Sequence, residues 1–334
     1  MTPDAAPALS VVVPLYDEEG TVPVLVGRLA RALDELGVSA EVILVDDGSR
    51  DGTLEEIDRA HAADPRFLGL ALSRNFGHQV AITAGLRHTS GRAVVVMDGD
   101  LQDPPEAIAA LWAKLGEGFD VVYAVRASRP EPIWKRAAYA AYYRLLGRAV
   151  AIEIPLDAGD FGIMSRRVVD LVNAMPERRR FVRGLRAWVG FRQAGLPVDR
   201  GARHAGQPKF TIRKLMGLAL DGLVGFSEAP LRWAGALAAW SVFAALAGAT
   251  WAAARFALGG GTPPGWAAVA LLALFLGGTQ LACAAILGEY VGRIAQDVNG
   301  RPLYIVRRRI GLKPNPARRS LKIHRTGRGR RDAA

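Results

Sequence analysis

Asp98 and Asp100 stand one residue apart, directly after the apolar run 93–97. Carboxylates at that spacing can present oxygens to one hard cation. Mg2+ or Mn2+ typically takes a few carboxylates and completes its shell with water and substrate phosphates. Gln102 can add an amide oxygen or hold a metal-bound water. An Asp-x-Asp triplet alone is more often a solvated turn, but this one ends a buried-strand pattern beside other polar strand ends, which favours the metal reading. Asp46-Asp47-Gly48-Ser49 follows a second apolar run, 41–45. A carboxylate there can accept hydrogen bonds from a nucleobase or ribose, and Gly48 permits a backbone path that a side chain blocks. Asp51-Gly52-Thr53 reads as the cap of the next helix, which leaves Asp46 as the better ligand candidate.

Such side chains need a scaffold that aims them at one place. Runs rich in Val and Ile occur at 9–14, 41–45, 67–72, 93–97 and 120–125, and helix-like segments lie between them near 22–36, 54–63, 79–88 and 106–115. Strands alternating with helices at this spacing predict an α/β fold with βαβ units and a largely parallel sheet. Ligands bind such sheets where strands end and loops begin. Four polar clusters fall there: Pro14-Leu15-Tyr16-Asp17-Glu18-Glu19, the Asp46 and Asp98 strings, and Ser73-Arg74-Asn75-Phe76-Gly77.

The second half of the chain is different. Half of the 334 residues are hydrophobic and the mean hydropathy is +0.13, an excess concentrated in two uncharged stretches, 233–254 and 256–288. The second contains the break Gly259-Gly260-Gly261-Thr262-Pro263-Pro264-Gly265, after which 266–287 remain apolar. Each segment is long enough to cross a hydrocarbon core of roughly 30 Å. The net charge is +11, and residues 301–334, with twelve Lys or Arg and one acid, account for all of it. A folded nucleic-acid-binding domain would spread that charge over its surface, so no nucleic-acid partner is expected. The run reads instead as an unstructured arm on anionic lipid. The turn between the two helices carries at most Arg255, while Arg232 and the long basic tail lie on the far side, so the positive-inside rule places the N-terminal domain and the tail in the cytoplasm of a multi-pass protein of the cell membrane. The single cysteine, Cys283, excludes an intramolecular disulfide, and no signal peptide is expected.

Seven strings carry a specific resemblance. They are Val13-Pro14-Leu15-Tyr16-Asp17-Glu18-Glu19, Asp46-Asp47-Gly48-Ser49-Arg50-Asp51-Gly52-Thr53, Asn75-Phe76-Gly77-His78, Met97-Asp98-Gly99-Asp100-Leu101-Gln102-Asp103-Pro104-Pro105-Glu106, Gly159-Asp160-Phe161, Phe181-Val182-Arg183-Gly184 and Asp221-Gly222-Leu223. Over about residues 9–300 the chain resembles glycosyltransferase family 2, in particular its polyisoprenyl-phosphate glycosyltransferases. The resemblance implies a GT-A catalytic domain over 1–208, a juxtamembrane amphipathic helix over 209–229, two transmembrane helices over 230–292 and a basic cytoplasmic tail over 293–334. It implies a nucleotide site from Pro14, Tyr16, Glu18 and Asp46, and metal coordination by Asp98, Asp100 and Gln102. Arg126 and Arg136 match phosphate-binding positions, and Asp160 is assigned to positioning. Three departures touch the acceptor loop and the sugar: Asp17 replaces the usual Asn, Gly162 stands where Arg is common, and Gln207-Pro208-Lys209-Phe210 replaces a Glu-Ser-Lys-Tyr pattern.

The expected reaction is inverting, metal-dependent transfer of a hexosyl group from a nucleotide-sugar, UDP-glucose before GDP-mannose, to polyisoprenyl phosphate. Catalytic work falls to Asp98, Asp100, Asp160 and Arg126, and the acceptor phosphate to Arg126, Arg136, Arg203 and Lys209. A phosphate monoester is already largely a dianion at neutral pH, so no general base is required. A processive synthase would need more spans and a Gln-x-x-Arg-Trp string, where this chain has Arg186-Ala187-Trp188. A silent scaffold or lipid carrier would not need the intact Asp98, Asp100 and Gln102 set. A homo-oligomer is compatible with the sequence.

Overall fold

The computed structural model describes residues 6–126, 158–178, 180–199, 229–258 and 265–312. Arg136, Arg203, Lys209 and almost all of the expected juxtamembrane helix lie outside them, as does the side chain of Arg126. Eight strands form one mixed sheet in the order β7-β5-β6-β4-β1-β2-β3-β8. They are β1 Leu9–Leu15, β2 Ala40–Asp46, β3 Phe67–Leu72, β4 Ala93–Val96, β5 Val121–Arg126, β6 Ala158–Ser165, β7 Gln193–Val198 and β8 Val306–Ile310. Strands β4, β1, β2 and β3 run parallel, as the alternating pattern predicts. β6 runs antiparallel to both β4 and β5, and β8 antiparallel to β3.

The helices cover both faces. α1 (Val22–Leu36), α2 (Thr53–Ala63) and α4 (Ala107–Gly116) pack on one, while α3 (His78–Leu86), α5 (Arg166–Ala174) and α6 (Val182–Trp188) pack on the other. Every residue of β1 is therefore buried, which is why it reads as a continuous apolar run. α1 buries Val22, Leu25, Leu29, Ala32 and Leu33, the stripe its three-to-four spacing predicts, and ends at Gly37 in the left-handed region with φ +67. Burying each leucine of that stripe contributes about 1.5–3 kcal/mol. α3 is buried along 81–86, and Gly85 lets it press directly onto Val12 of β1. Its first residue is thereby held over the carboxyl edge of the sheet.

α7 (Ala229–Ala257) and α8 (Gly265–Val298) are the two long helices. Ser241 Oγ donates to Thr279 Oγ1 at 3.1 Å, and Cys283 Sγ lies 3.5 Å from Ala234 O, so the pair runs antiparallel. Their apolar segments, Leu231–Ala257 and Leu271–Gly292, are long enough to cross a membrane, and only 6% and 0% of their most apolar windows are buried within the protein. Core helices of a globular domain would be covered. Here Trp240 is 70% and Leu281 74% exposed.

The stretch expected to be a basic tail from 293 is ordered differently. α8 continues to Val298, and Val306–Ile310 adds a strand to the sheet edge. Ile310 packs against Gly69 and Ile57, where a side chain at 69 would collide with it. Arg308 pairs with Asp58 at 2.7 Å. Three consecutive arginines read as a solvated charge run, but backbone pairing with β3 and one buried isoleucine outweigh that pattern. Charged side chains also suit an edge strand.

Candidate functional site

The carboxyl edge of the parallel strands gathers the polar clusters. Pro14 is buried in β1 opposite Val45, and Asp46 ends β2 opposite Leu15. Tyr16 follows β1, half-buried. Ser49 donates its backbone N–H to Asp46 Oδ1 at 2.9 Å. Asp47 does structural work: its carboxylate accepts the N–H groups of Phe76 (2.7 Å) and Gly77 (2.8 Å). Its pKa is raised, because burial outweighs those two bonds. Gly48, at φ +71, lies where a Cβ would strike the backbone of Arg74. This loop therefore needs both the glycine and the second aspartate to seat the segment after β3.

The acids after β1 are mostly engaged. Asp17 sits at φ +51 and accepts the Arg50 N–H at 2.9 Å. Asn and Asp tolerate that left-handed conformation better than other side chains, so the departure from Asn keeps the backbone geometry. Glu18 accepts from Thr21 Oγ1 at 2.9 Å, and Glu19 accepts the Gly52 N–H at 3.0 Å. Asp51 accepts from Thr53 through both N–H and Oγ1; the N-cap position of α2 is Gly52 and carries no side-chain cap bond, so Asp51 braces the turn before the helix rather than capping it.

Asp98 leaves β4 with its side chain 29% exposed. Gly99 is pressed against Leu15 and the Pro14 carbonyl, which a Cβ would approach to 3.2 Å; the middle of this triplet has no room for a side chain. Leu101 follows in the left-handed region at φ +59, a costly conformation for leucine. It folds the loop back so that Gln102 N–H reaches Asp100 Oδ1 at 3.1 Å.

Asp98 meets two partners from distant parts of the chain. His78 Nε2, at the start of α3, lies 3.3 Å from Asp98 Oδ1 and 3.3 Å from Asp160 Oδ2. One potential ligand atom from each of the three residues falls within 4.8 Å of the others. Asp100 and Gln102 lie in the following turn, outside this trio. Asp160 is 7% exposed on β6 and is heavily braced. Arg183 Nε donates to Oδ1 at 2.9 Å and Gln79 Nε2 to Oδ2 at 3.0 Å, while Gln79 Oε1 accepts the Val182 N–H at 2.8 Å. Burial alone would raise the Asp160 pKa, but Arg183 and His78 hold it well below the usual carboxylate range. For His78, desolvation favours the neutral ring and is outweighed by the Asp160 hydrogen bond and the charges of Asp98 and Asp160, so its pKa is raised.

Both Asp160 oxygens are already engaged by Arg183, Gln79 and His78, which leaves the Asp98 carboxylate and the His78 ring, with Asp100 close by in sequence, as the donors that could hold a divalent cation. The sequence by itself points to no role for His78, Gln79 or Arg183. His78 and Arg183 belong to strings that carry the family resemblance. Gln79 had no signal beyond standing next to His78.

A mixed α/β sheet with an acidic carboxyl edge, joined to an exposed apolar helical pair, is a GT-A-like architecture with a helical appendage. Residues 10–172 match Glycosyl transferase family 2. Glycosyltransferase sll0501 of Synechocystis sp. is 41% identical over 309 residues, 92% of this chain and 97% of its own. The glycosyltransferase YkcC of Bacillus subtilis is 39% identical over 91% of this chain and 94% of its own. The bactoprenol glucosyl transferase of Shigella phage SfII is 38% identical over 90% and 97%. The chain belongs to glycosyltransferase family 2 and is a glycosyltransferase.

Proposed function

We propose that this enzyme transfers a hexosyl group from a nucleotide-sugar, UDP-glucose, to a polyisoprenyl phosphate at a membrane surface. The observation that carries the reading is the 38% identity, across 97% of its length, to a protein named bactoprenol glucosyl transferase. The match spans the catalytic sheet and extends into the apolar helices.

The nucleotide lies over the edge between β1 and β2, against Pro14, Tyr16 and Asp46. An acceptor phosphate oxygen attacks the anomeric carbon from the face opposite the nucleoside diphosphate. The new C–O bond forms as the bond to the diphosphate breaks, its electron pair leaves with the diphosphate, and the configuration inverts. The acceptor is already a dianion, so the protein aligns groups and offsets charge rather than removing a proton. Asp98, with His78 and Asp100, would hold Mg2+ or Mn2+, which supplies charge neutralisation for the departing diphosphate. Asp160, engaged by Arg183, Gln79 and His78, orients these neighbours. Arg126 at the end of β5 is the acceptor-phosphate candidate, with Arg136, Arg203 and Lys209.

The two apolar helices form a hairpin in the membrane. β8 lies after the helices in sequence yet pairs with β3, before them. The sheet and the end of α8 therefore share one side of the bilayer, and the charge pattern makes that side the cytoplasm.

The test is transfer of radiolabel from UDP-glucose to polyprenyl phosphate by the full chain with Mn2+ or Mg2+. Label should enter an organic-extractable lipid that releases glucose on mild acid. No lipid-bound label from any nucleotide-sugar in a donor panel would overturn the proposal.

A further inference from the structure

Arg186 is a buried cation of this site that the reaction as described leaves unused. It sits on α6, one turn beyond Arg183, and is 4% exposed. Its Nη2 donates to Gly159 O at 3.3 Å, and its guanidinium lies 5.4 Å from the Tyr123 ring centroid. Among the described residues no carboxylate forms an ion pair with it. Burial pushes its pKa down to about 10, with the Asp160 charge opposing, so it remains a cation at neutral pH. Taking a guanidinium out of water is costly, and here the carbonyl of Gly159 and the nearby Asp160 charge offset that cost.

Gly162 lies next to it. A Cβ at that position would strike Val122 O at 2.6 Å and crowd Arg186 Nη1 at 3.3 Å. The glycine that departs from the family pattern thus lets β6 approach β5 closely and leaves the guanidinium room beside the strand. Asp160 lies two residues before it on the same face of the strand. Arg183 holds the Asp160 side chain from one direction, and Arg186 holds the carbonyl just before it.

We propose that Arg186 is a positioning residue for glycosyl transfer, fixing the Gly159–Asp160 segment so that the Asp160 carboxylate meets His78 and Gln79. This rests on the transfer reaction proposed above. If Arg186 only filled space, methionine, of similar length and apolar, would replace it without loss. With purified full-length protein, Arg186→Met should lower kcat about tenfold or more, leave KM for the nucleotide-sugar within about twofold, and not lower the melting temperature. Arg186→Lys, which keeps a donor for the carbonyl, should recover part of kcat. A wild-type kcat in Arg186→Met overturns the proposal, as does a kcat loss in both variants matched by loss of folding. A readout independent of turnover separates this from failure of the functional reading. In a structure of Arg186→Met the Asp160 carboxylate should leave Gln79 and Arg183, and an unmoved carboxylate refutes the positioning role whatever the reaction.

Discussion

Neighbouring residues of one motif do different work at this sheet edge. Asp46 ends a strand at the carboxyl edge of the sheet, whereas Asp47 satisfies two backbone N–H groups of the segment that delivers His78. Gly48→Ala places a methyl group against the Arg74 backbone at a positive φ, which costs about 1–3 kcal/mol in conformation alone. The melting temperature should fall by several degrees, and an unchanged thermal melt would show that the loop can move aside. Asp98 makes the opposite case. It is part-exposed and faces His78, so Asp98→Asn should preserve folding while lowering turnover by about a hundredfold and abolishing its response to added Mn2+ or Mg2+. Full metal-dependent activity in that variant would remove Asp98 from the cation site. The long-range brace on Asp160 also belongs to this scale. It joins positions 79, 160 and 183, and no local pattern announces a contact across such separations.

At the level of elements, β1 to β5 and α1 to α4 are legible because strand-length apolar runs alternate with helix-length segments along the chain. α1 occupies Val22–Leu36 as the apolar spacing predicts. β6, β7 and β8 do not read as strands, each for a physical reason. β6 carries Gly159, Asp160 and Gly162 in its interior, residues placed there by the site rather than by strand propensity. β7 contains glycine and proline at a sheet edge. β8 is mostly arginine, and only pairing with β3 makes it a strand. Its contribution is measurable. Truncation after Asn299 removes Ile310, which is 6% exposed, and the Arg308–Asp58 pair. It also uncovers the edge of β3. The catalytic domain should lose about 2–5 kcal/mol from the buried isoleucine alone, seen as a lower denaturation midpoint. A detached arm would leave the midpoint where it is.

For the whole molecule, the sheet and the helical hairpin are joined by a short strap. Ser73 N–H, just past β3 on the carboxyl edge of the sheet, donates to Ile305 O at 2.9 Å, and α8 ends at Val298. Ile305 lies seven residue steps beyond Val298, and an extended chain spans at most about 25 Å over that length. The last turn of α8 is therefore tethered close to the edge that holds Asp46 and Asp98. If the hairpin lies in the bilayer, the strap keeps the site within reach of a phosphate at the lipid surface. Inserting ten Gly/Ser residues after Asn299 relaxes that limit without touching any site residue, and a flexible insert of this length adds little loop-closure cost. Turnover of a short-chain, water-soluble prenyl phosphate should stay within about twofold of wild type, because its encounter with the site does not depend on the tether. Turnover of a long-chain polyprenyl phosphate in vesicles should fall several-fold, since fewer encounters present the lipid phosphate to the edge. Equal rates on both acceptors would mean that the strap serves only to close the sheet and that another segment sets the height of the site above the membrane.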